Sequence, residues 1–434
     1  MAPLMRPLLV AALGLLMACD QDPLLPGQRF DVVAAPSRAS LDAEAMPNVS
    51  LPTVSNSAQS VSPSGVAGPT VNAALATTPS LVFTTSIGSG NSKRGRISAA
   101  PIVVRDTVFT IDSRSQVSAV NSATGTILWQ RSIAPSNDKG TELIGGGLSY
   151  GGGTLFAASA FGEVYALDPQ TGREIWVQKL GAAANGTPSF DNGHVFVVSA
   201  TGAAWKLSAE TGRIAWRLAG DAQSAGTFGG AVPATHGNFV IFANSAGEVV
   251  NSYQNGGTLA WINKLAGADK GAAISAIEDI AGSPVISGSD VIVSNFGGRT
   301  ARYDLNTGDT KWLAPIGTYN TPLAVGNAIF LISNDNELVR LSQSDGSVIW
   351  SQPLPKYTAR RTKKRSEIFV HFGPLLGNGA LIVPSSDGEL RFFDPRSGEL
   401  QQTLNIPHGA ATMGVIANST LYLINQRGEL LAFK

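Results

Sequence analysis

The one cysteine of this 434-residue chain, Cys19, closes the run Leu16-Met17-Ala18-Cys19, where its thiolate could accept a lipid. With no second cysteine there is no internal disulfide, no Cys-based zinc cluster and no iron–sulfur site. The four histidines, His194, His236, His371 and His408, lie far apart, without His-x-His or His-Glu-x-x-His spacing. They read as separate strand or surface residues, not metal ligands. Asp168, Asp304 and Asp394 recur in one local context, which suits turn capping. Acid–base chemistry needs carboxyl groups in unlike settings, and these are periodic. Gly145-Gly146-Gly147 and Gly151-Gly152-Gly153 precede neither Lys-Ser/Thr nor a helical pattern, so they are turns and not phosphate loops. No catalytic, cofactor or metal constellation emerges. Two charged segments remain as candidate binding sites. Arg360, Arg361, Lys363, Lys364 and Arg365 put five cations in six residues, and Asp279 sits in a long connection from Asp269 to Ser283. A cation run of that kind suits an acidic partner or anionic lipid head groups, and otherwise solvates a loop.

The elements that position these residues fall into three stretches. Residues 1–18 read as a lipoprotein signal peptide: Arg6 supplies a thin basic region and Leu8 to Met17 an apolar run. Ten apolar residues are half of the roughly 20 that span a bilayer, so this is an address and not a membrane helix. The small Ala18 before Cys19 resembles a bacterial lipobox, which makes Cys19 the expected lipidated first residue. In enteric bacteria an aspartate after that cysteine favours inner-membrane retention, so Asp20 leaves the inner membrane as the alternative to the outer one. Residues 19–80 read as a disordered tether. Eight prolines and one aromatic, Phe30, fall between 20 and 80, too little apolar surface to offset ordering entropy.

From 81 to 434 one unit repeats: a short strand, a Gly-containing turn, and Trp four residues after the Gly. Trp129, Trp176, Trp216, Trp261, Trp312 and Trp350 lie 47, 40, 45, 51 and 38 residues apart. That is the period of four-stranded propeller blades. A seventh unit has Gln402 where Trp is due, and an eighth stops at Lys434 before any outer strand. Pro101, Pro188, Pro233, Pro284, Pro322 and Pro374 precede an apolar strand in phase with the Trp series. Proline cannot donate to a ladder, so it belongs beside an edge strand, here the innermost one. Leu81 to Ile87 precedes the first unit with Phe83 at the Trp position, and is the candidate for the missing last strand. The expectation is an all-β, eight-bladed propeller of four-stranded antiparallel blades, about 44 residues each, closed by the N-terminal strand on the C-terminal blade. Charged residues are scarce at 14%, and Lys+Arg 31 balances Asp+Glu 31, so no global field points to nucleic acid.

These units resemble the quinoprotein-type propeller repeat, and with the leader, the Pro-rich segment and eight blades the chain resembles the BamB family. Leu25-Pro26-Gly27-Gln28-Arg29 and Leu81 to Gly90 are similar to the family's starts. The resemblance implies a non-enzymatic lipoprotein scaffold at the periplasmic face of the outer membrane. It would dock on the periplasmic domains of BamA and aid folding and insertion of outer-membrane proteins, with unfolded clients as further partners. In that family, acidic residues of the loop matching 269–283 touch BamA. The resemblance places Asp279 at one such position and Ala281 at another, while Asp221 to Gly230 lacks the arginine of the family's preceding loop. The alternatives are a periplasmic ligand-binding or sensor propeller and, third, a quinone-dependent dehydrogenase. The last would bring a vicinal cysteine pair, which one cysteine cannot form.

Overall fold

The computed structural model describes residues 46–60, 72–135, 146–184, 186–220, 230–267, 277–359, 361 and 364–434. Within them, eight four-stranded antiparallel sheets follow one another as blades. Blades 1 to 7 span 102–132, 146–179, 189–218, 234–264, 285–314, 323–353 and 375–405. Blade 8 combines 415–433 with Leu81–Ser86. The inner strand is only three residues long in seven of the eight blades, and in six it starts immediately after one of the repeated prolines. Inner strands of neighbouring blades touch, as strands lining a central channel do.

Burial explains why the strands read as they do. Both faces of a blade are covered by its neighbours, so a second strand such as Ala328–Ile332 is apolar and buried throughout, and the third strand Glu337–Ser342 is buried at its four central residues, Arg340 included. Outer strands have one wet face. Leu81–Ser86, Ile127–Ser132 and Leu400–Asn405 therefore alternate between exposed and half-buried residues.

The tryptophans lock each blade to the next. Trp129 donates its indole N–H to Pro169 O (3.0 Å), and the same bond recurs as Trp176 to Ala209, Trp216 to Gln254, Trp261 to Leu305, Trp312 to Gln343 and Trp350 to Pro395. Each ring lies under the turn glycine of the following blade. A Cβ on Gly172 would stand 2.6 Å from the Trp129 ring, and φ there is +69°, so glycine is required twice over. Opposite the tryptophans, a second donor joins the clamp in the middle blades. Lys206 also donates to Gln254 O, Asn251 to Leu305 O and Arg302 to Gln343 O. In the same turns the Asp168, Asp304 and Asp394 carboxylates accept backbone N–H bonds, as expected of turn caps. Those bonds hold Asp168 and Asp304 below the usual carboxylate range.

Ring closure runs as the sequence implies. Leu81–Ser86 pairs antiparallel with Glu429–Phe433, with Phe83 opposite Ala432, and Ser80 and Lys434 exchange backbone bonds of 2.8 and 2.9 Å. Phe83 occupies the Trp role under Gly125 of blade 1. A phenyl ring has no N–H; the carbonyl equivalent to Pro169 O here is Ser122 O, which accepts instead from the Tyr422 hydroxyl at 3.0 Å, and Thr85 adds a bond to Gly125 O at 2.6 Å.

The stretch 19–80 departs from the expected free tether. Residues 46–60 and 72–80 lie along the propeller: Met46, Val49 and Leu51 pack on the blade 6 core, and Ala73 and Leu75 are buried against blades 7 and 8. Composition misleads here because the segment borrows its core from the blades and needs none of its own. Residues 1–45, including Cys19, lie outside the described part.

Candidate partner-binding face

A four-stranded meander sends its first and third turns to one end. Its second turn and the connection to the next blade go to the other. All long inter-blade connections therefore share one face of the ring, and both charged segments singled out from the sequence belong to it.

The first is the connection from blade 4 to blade 5, described from residue 277 onward. Asp269 and Ile274 lie outside the described residues. Asp279 is 1% exposed and lines a cavity scarcely large enough for one water, between Ser199, Gly230, Asn244 and Ser245. Its neighbours on the chain are pinned to two blades: Ile280 N donates to Asn244 O (3.3 Å) and Phe296 N to Asp279 O (2.8 Å). Ile280 is buried in the core shared by blades 4 and 5. The segment is thus a wedge, and the residue expected as a docking anchor is set into the wall instead of on the rim. The side chain on the rim is Glu278, paired with Lys264 at 3.0 Å and facing solvent with a quarter of its surface. Sequence reading gave Glu278 no role, because its partner Lys264 lies 14 residues earlier, at the end of the outer strand of blade 4.

The second is the connection from blade 6 to blade 7. Its expected form is a solvated loop; its actual form is a β-hairpin rooted in the core. Tyr357 and Ile368 pair across it, Thr358 N bonds Glu367 O and Phe369 N bonds Lys356 O. Arg361, Lys364 and Arg365 are exposed at the tip, whereas Arg360 and Lys363 lie outside the described residues. The Arg365 guanidinium rests 4.8 Å from the Tyr357 ring centre. Tyr357 and Ile368 remain 40% and 50% exposed, so the hairpin offers apolar surface beside its cations.

A buried polar network holds the hairpin's base. His371 Nε2 lies 2.8 Å from Pro355 O, a pure acceptor, so Nε2 carries the proton and Nδ1 accepts from the Ser385 hydroxyl at 2.6 Å. Arg391 donates to Ser385 Oγ and pairs with Asp387. Burial lowers the His371 pKa from its ordinary value. A Ser–His pair invites a hydrolytic reading, but both residues are fully buried and no substrate atom could reach Ser385. The other expected histidines are not drawn together, and among the described residues no group of three His, Cys, Asp or Glu is placed to hold a metal.

The fold and this face define an eight-bladed propeller of the quinoprotein-type repeat whose elaborations are inter-blade connections. Among solved structures, BamB from Moraxella catarrhalis matches with a TM-score of 0.66 at 18% identity, covering 82% of this chain and 100% of that one. Quinohemoprotein alcohol dehydrogenase from Comamonas testosteroni matches with a TM-score of 0.60 at 14% identity, covering 83% and 78%, a likeness of fold. The family profile described as outer membrane protein assembly factor BamB matches residues 88–144 and 113–352. The outer membrane protein assembly factor BamB of Escherichia coli strain K12 is 30% identical over 360 residues, 81% of this chain and 88% of that protein. Its counterpart from Salmonella typhimurium is 29% identical over 362 residues, 82% and 88%. The chain belongs to the BamB family of outer membrane protein assembly factors.

Proposed function

We propose that this protein is a non-enzymatic scaffold of the outer-membrane β-barrel assembly machinery, anchored by a lipid on Cys19 at the periplasmic face of the outer membrane. It docks on the periplasmic domains of BamA through the inter-blade face and holds the machinery in position while clients fold. The observation that carries the reading is the concentration of elaboration there. The wedge 277–280, with Glu278 at its rim, and the basic hairpin 356–369 both belong to that one face.

The two segments play different parts. Asp279 keeps the wedge in place, Glu278 offers the accessible carboxylate, and Arg360, Arg361, Lys363, Lys364 and Arg365 steer an acidic partner surface. Rim charges act mainly on association rate and its salt dependence. Surface plasmon resonance against the periplasmic domains of BamA tests this. Neutralising the five cations should slow association several-fold at low salt and little at high salt, and Glu278→Lys should weaken binding about tenfold with the melting temperature unchanged. Absence of binding by the wild type ends the docking reading. For the anchor, Cys19→Ala should move the protein from the membrane to the soluble fraction; sedimentation of that variant with salt-washed membranes ends the lipidation reading.

A further inference from the structure

The strap formed by 46–60 and 72–80 crosses the face opposite the inter-blade connections, and it does so as a strand partner. In blade 1, Ile102 and Val104 face Phe109 and Thr107 of the second strand, so the N–H and C=O of Val103 point away from the sheet into the channel. Ser60 takes both: its N–H donates to Val103 O (3.0 Å) and its Oγ accepts from Val103 N (2.8 Å). Blade 7 repeats the geometry. Leu375 and Gly377 face the second strand, and the outward Leu376 O accepts from Ala73 N (3.2 Å) while Asn378 N donates to Ala73 O (2.8 Å).

The two contacts are joined within the strap. Ser55 N donates to Asn72 O and Ala74 N to Ser55 O, and Asn72, itself 3% exposed, bonds Pro52 O and Gly379 N through its side chain. Between them, Ser57 O accepts from Asn418 N at the first turn of blade 8. An inner strand's channel-facing edge is an unpaired template, and among the described residues those of blades 1 and 7 are paired by the protein's own chain.

We propose that these edges of blades 7 and 1 form a strand-addition site for an extended polypeptide, which the strap fills in cis as an internal ligand. The bonds at Val103 O, Leu376 O and Asn378 N run to main-chain atoms and are blind to sequence, so a foreign segment can make them, while Val103 N takes a side-chain hydroxyl, that of Ser60. Side-chain preference comes from two buried positions. Ala73 is small and buried at 3% exposure, and Leu75 enters the core of Leu375, Ile416 and Phe433. The occupant is therefore an extended segment with a small residue and, two positions on, an aliphatic one, which is the alternation of an amphipathic β-strand.

The test uses the full chain and a fluorescein-labelled peptide with the sequence of residues 46–75. Ala73→Arg places a charge in the buried position and releases the blade 7 contact. Ser60→Pro removes the donor and the hydroxyl at blade 1 without touching the core. Hydrogen exchange at the Val103 and Asn378 amides reports release, expected as at least a tenfold acceleration at the affected amide. Fluorescence anisotropy should show the peptide binding the released variants at least tenfold more tightly than the wild type, and a peptide carrying Arg at position 73 losing that gain. Should Ala73→Arg fail to fold, Ser60→Pro decides. Amides that stay protected in both variants, or released variants that bind the peptide no better than the wild type, overturn the proposal.

Discussion

Six joints of the ring are closed by an indole and two are not, and the contrast explains how the propeller is held. From blade 1 through blade 6, each tryptophan lies under a turn glycine of the next blade and donates to a carbonyl there. Blade 7 carries Gln402 instead, and the reason lies in its neighbour. In blade 8 no turn joins the third strand to the outer one, because the outer strand is Leu81–Ser86. With no turn to dock under, an indole has no partner. At the seam from blade 8 to blade 1 the turn exists, and two residues divide the jobs that Trp does alone: the Phe83 ring lies under Gly125 and the Tyr422 hydroxyl donates to Ser122 O. The latch is thus a pair of features, and neither is kept where the other is missing.

The largest break in that comparison should come from the seam. Deleting 20–90 removes the outer strand of blade 8 together with Phe83 and the fully buried Ile87, and should cost a large part of the roughly 5–15 kcal/mol that holds a domain folded. Deleting 20–80 removes only the strap and should lower the melting temperature less, yet measurably, since Ala73 and Leu75 are buried. Calorimetry on the two truncations checks the order, and equal melting would deny the seam its role.

Next in size, Trp350→Ala should cost about 3–5 kcal/mol, as expected for emptying a buried aromatic site, and Phe83→Ala clearly less because Phe83 is only half-buried. Chemical denaturation that ranks Phe83→Ala above Trp350→Ala would reverse the account. A finer cut isolates the indole N–H. Trp129→Phe leaves Pro169 O without its donor, whereas Trp312→Phe leaves Gln343 O still bonded to Arg302. The first should cost about 1–3 kcal/mol and the second nearer 0.5 kcal/mol.

The joint between blades 6 and 7 holds a fully buried histidine. His371 is held neutral by burial, so its folded pKa lies below the unfolded value of about 6.5. The unfolded chain then binds a proton that the folded one does not. Stability is complete above pH 6.5 and falls as pH drops below it, by up to about 1.4 kcal/mol per pH step for this group. Melting curves from pH 7.5 to 5.0 should show that decline, and His371→Gln should flatten it while lowering stability at pH 7.5. Smallest of all, Gln402→Trp should change stability by no more than about 0.5 kcal/mol, because blade 8 has no turn to receive the ring.

Blade number, the period and the closing strand were legible because each blade must satisfy the same local needs. A Gly at positive φ, an indole four residues later and a proline before the inner strand recur wherever the same turn and the same edge recur. Even Gln402 was visible as a gap, though its cause was not. The candidate site was less legible. The basic run between Trp350 and Pro374 stood out, while its hairpin form depends on Tyr357 meeting Ile368 and on the His371 network beneath. Asp279 looked like a surface acid because nothing nearby in the chain announces the turns of blades 4 and 5 that enclose it.

By itself, then, the amino-acid order determined the architecture: eight blades, their strand order and the meeting of the two ends, all encoded in short spacings repeated around a ring. Tertiary structure alone decided which charges face water and where the Pro-rich stretch goes. Asn48 meets Asn327, and Ser57 meets Asn418. Contacts across such distances in sequence occur once each, so no period reports them, and a segment poor in apolar residues finds its burial in a core that other residues built.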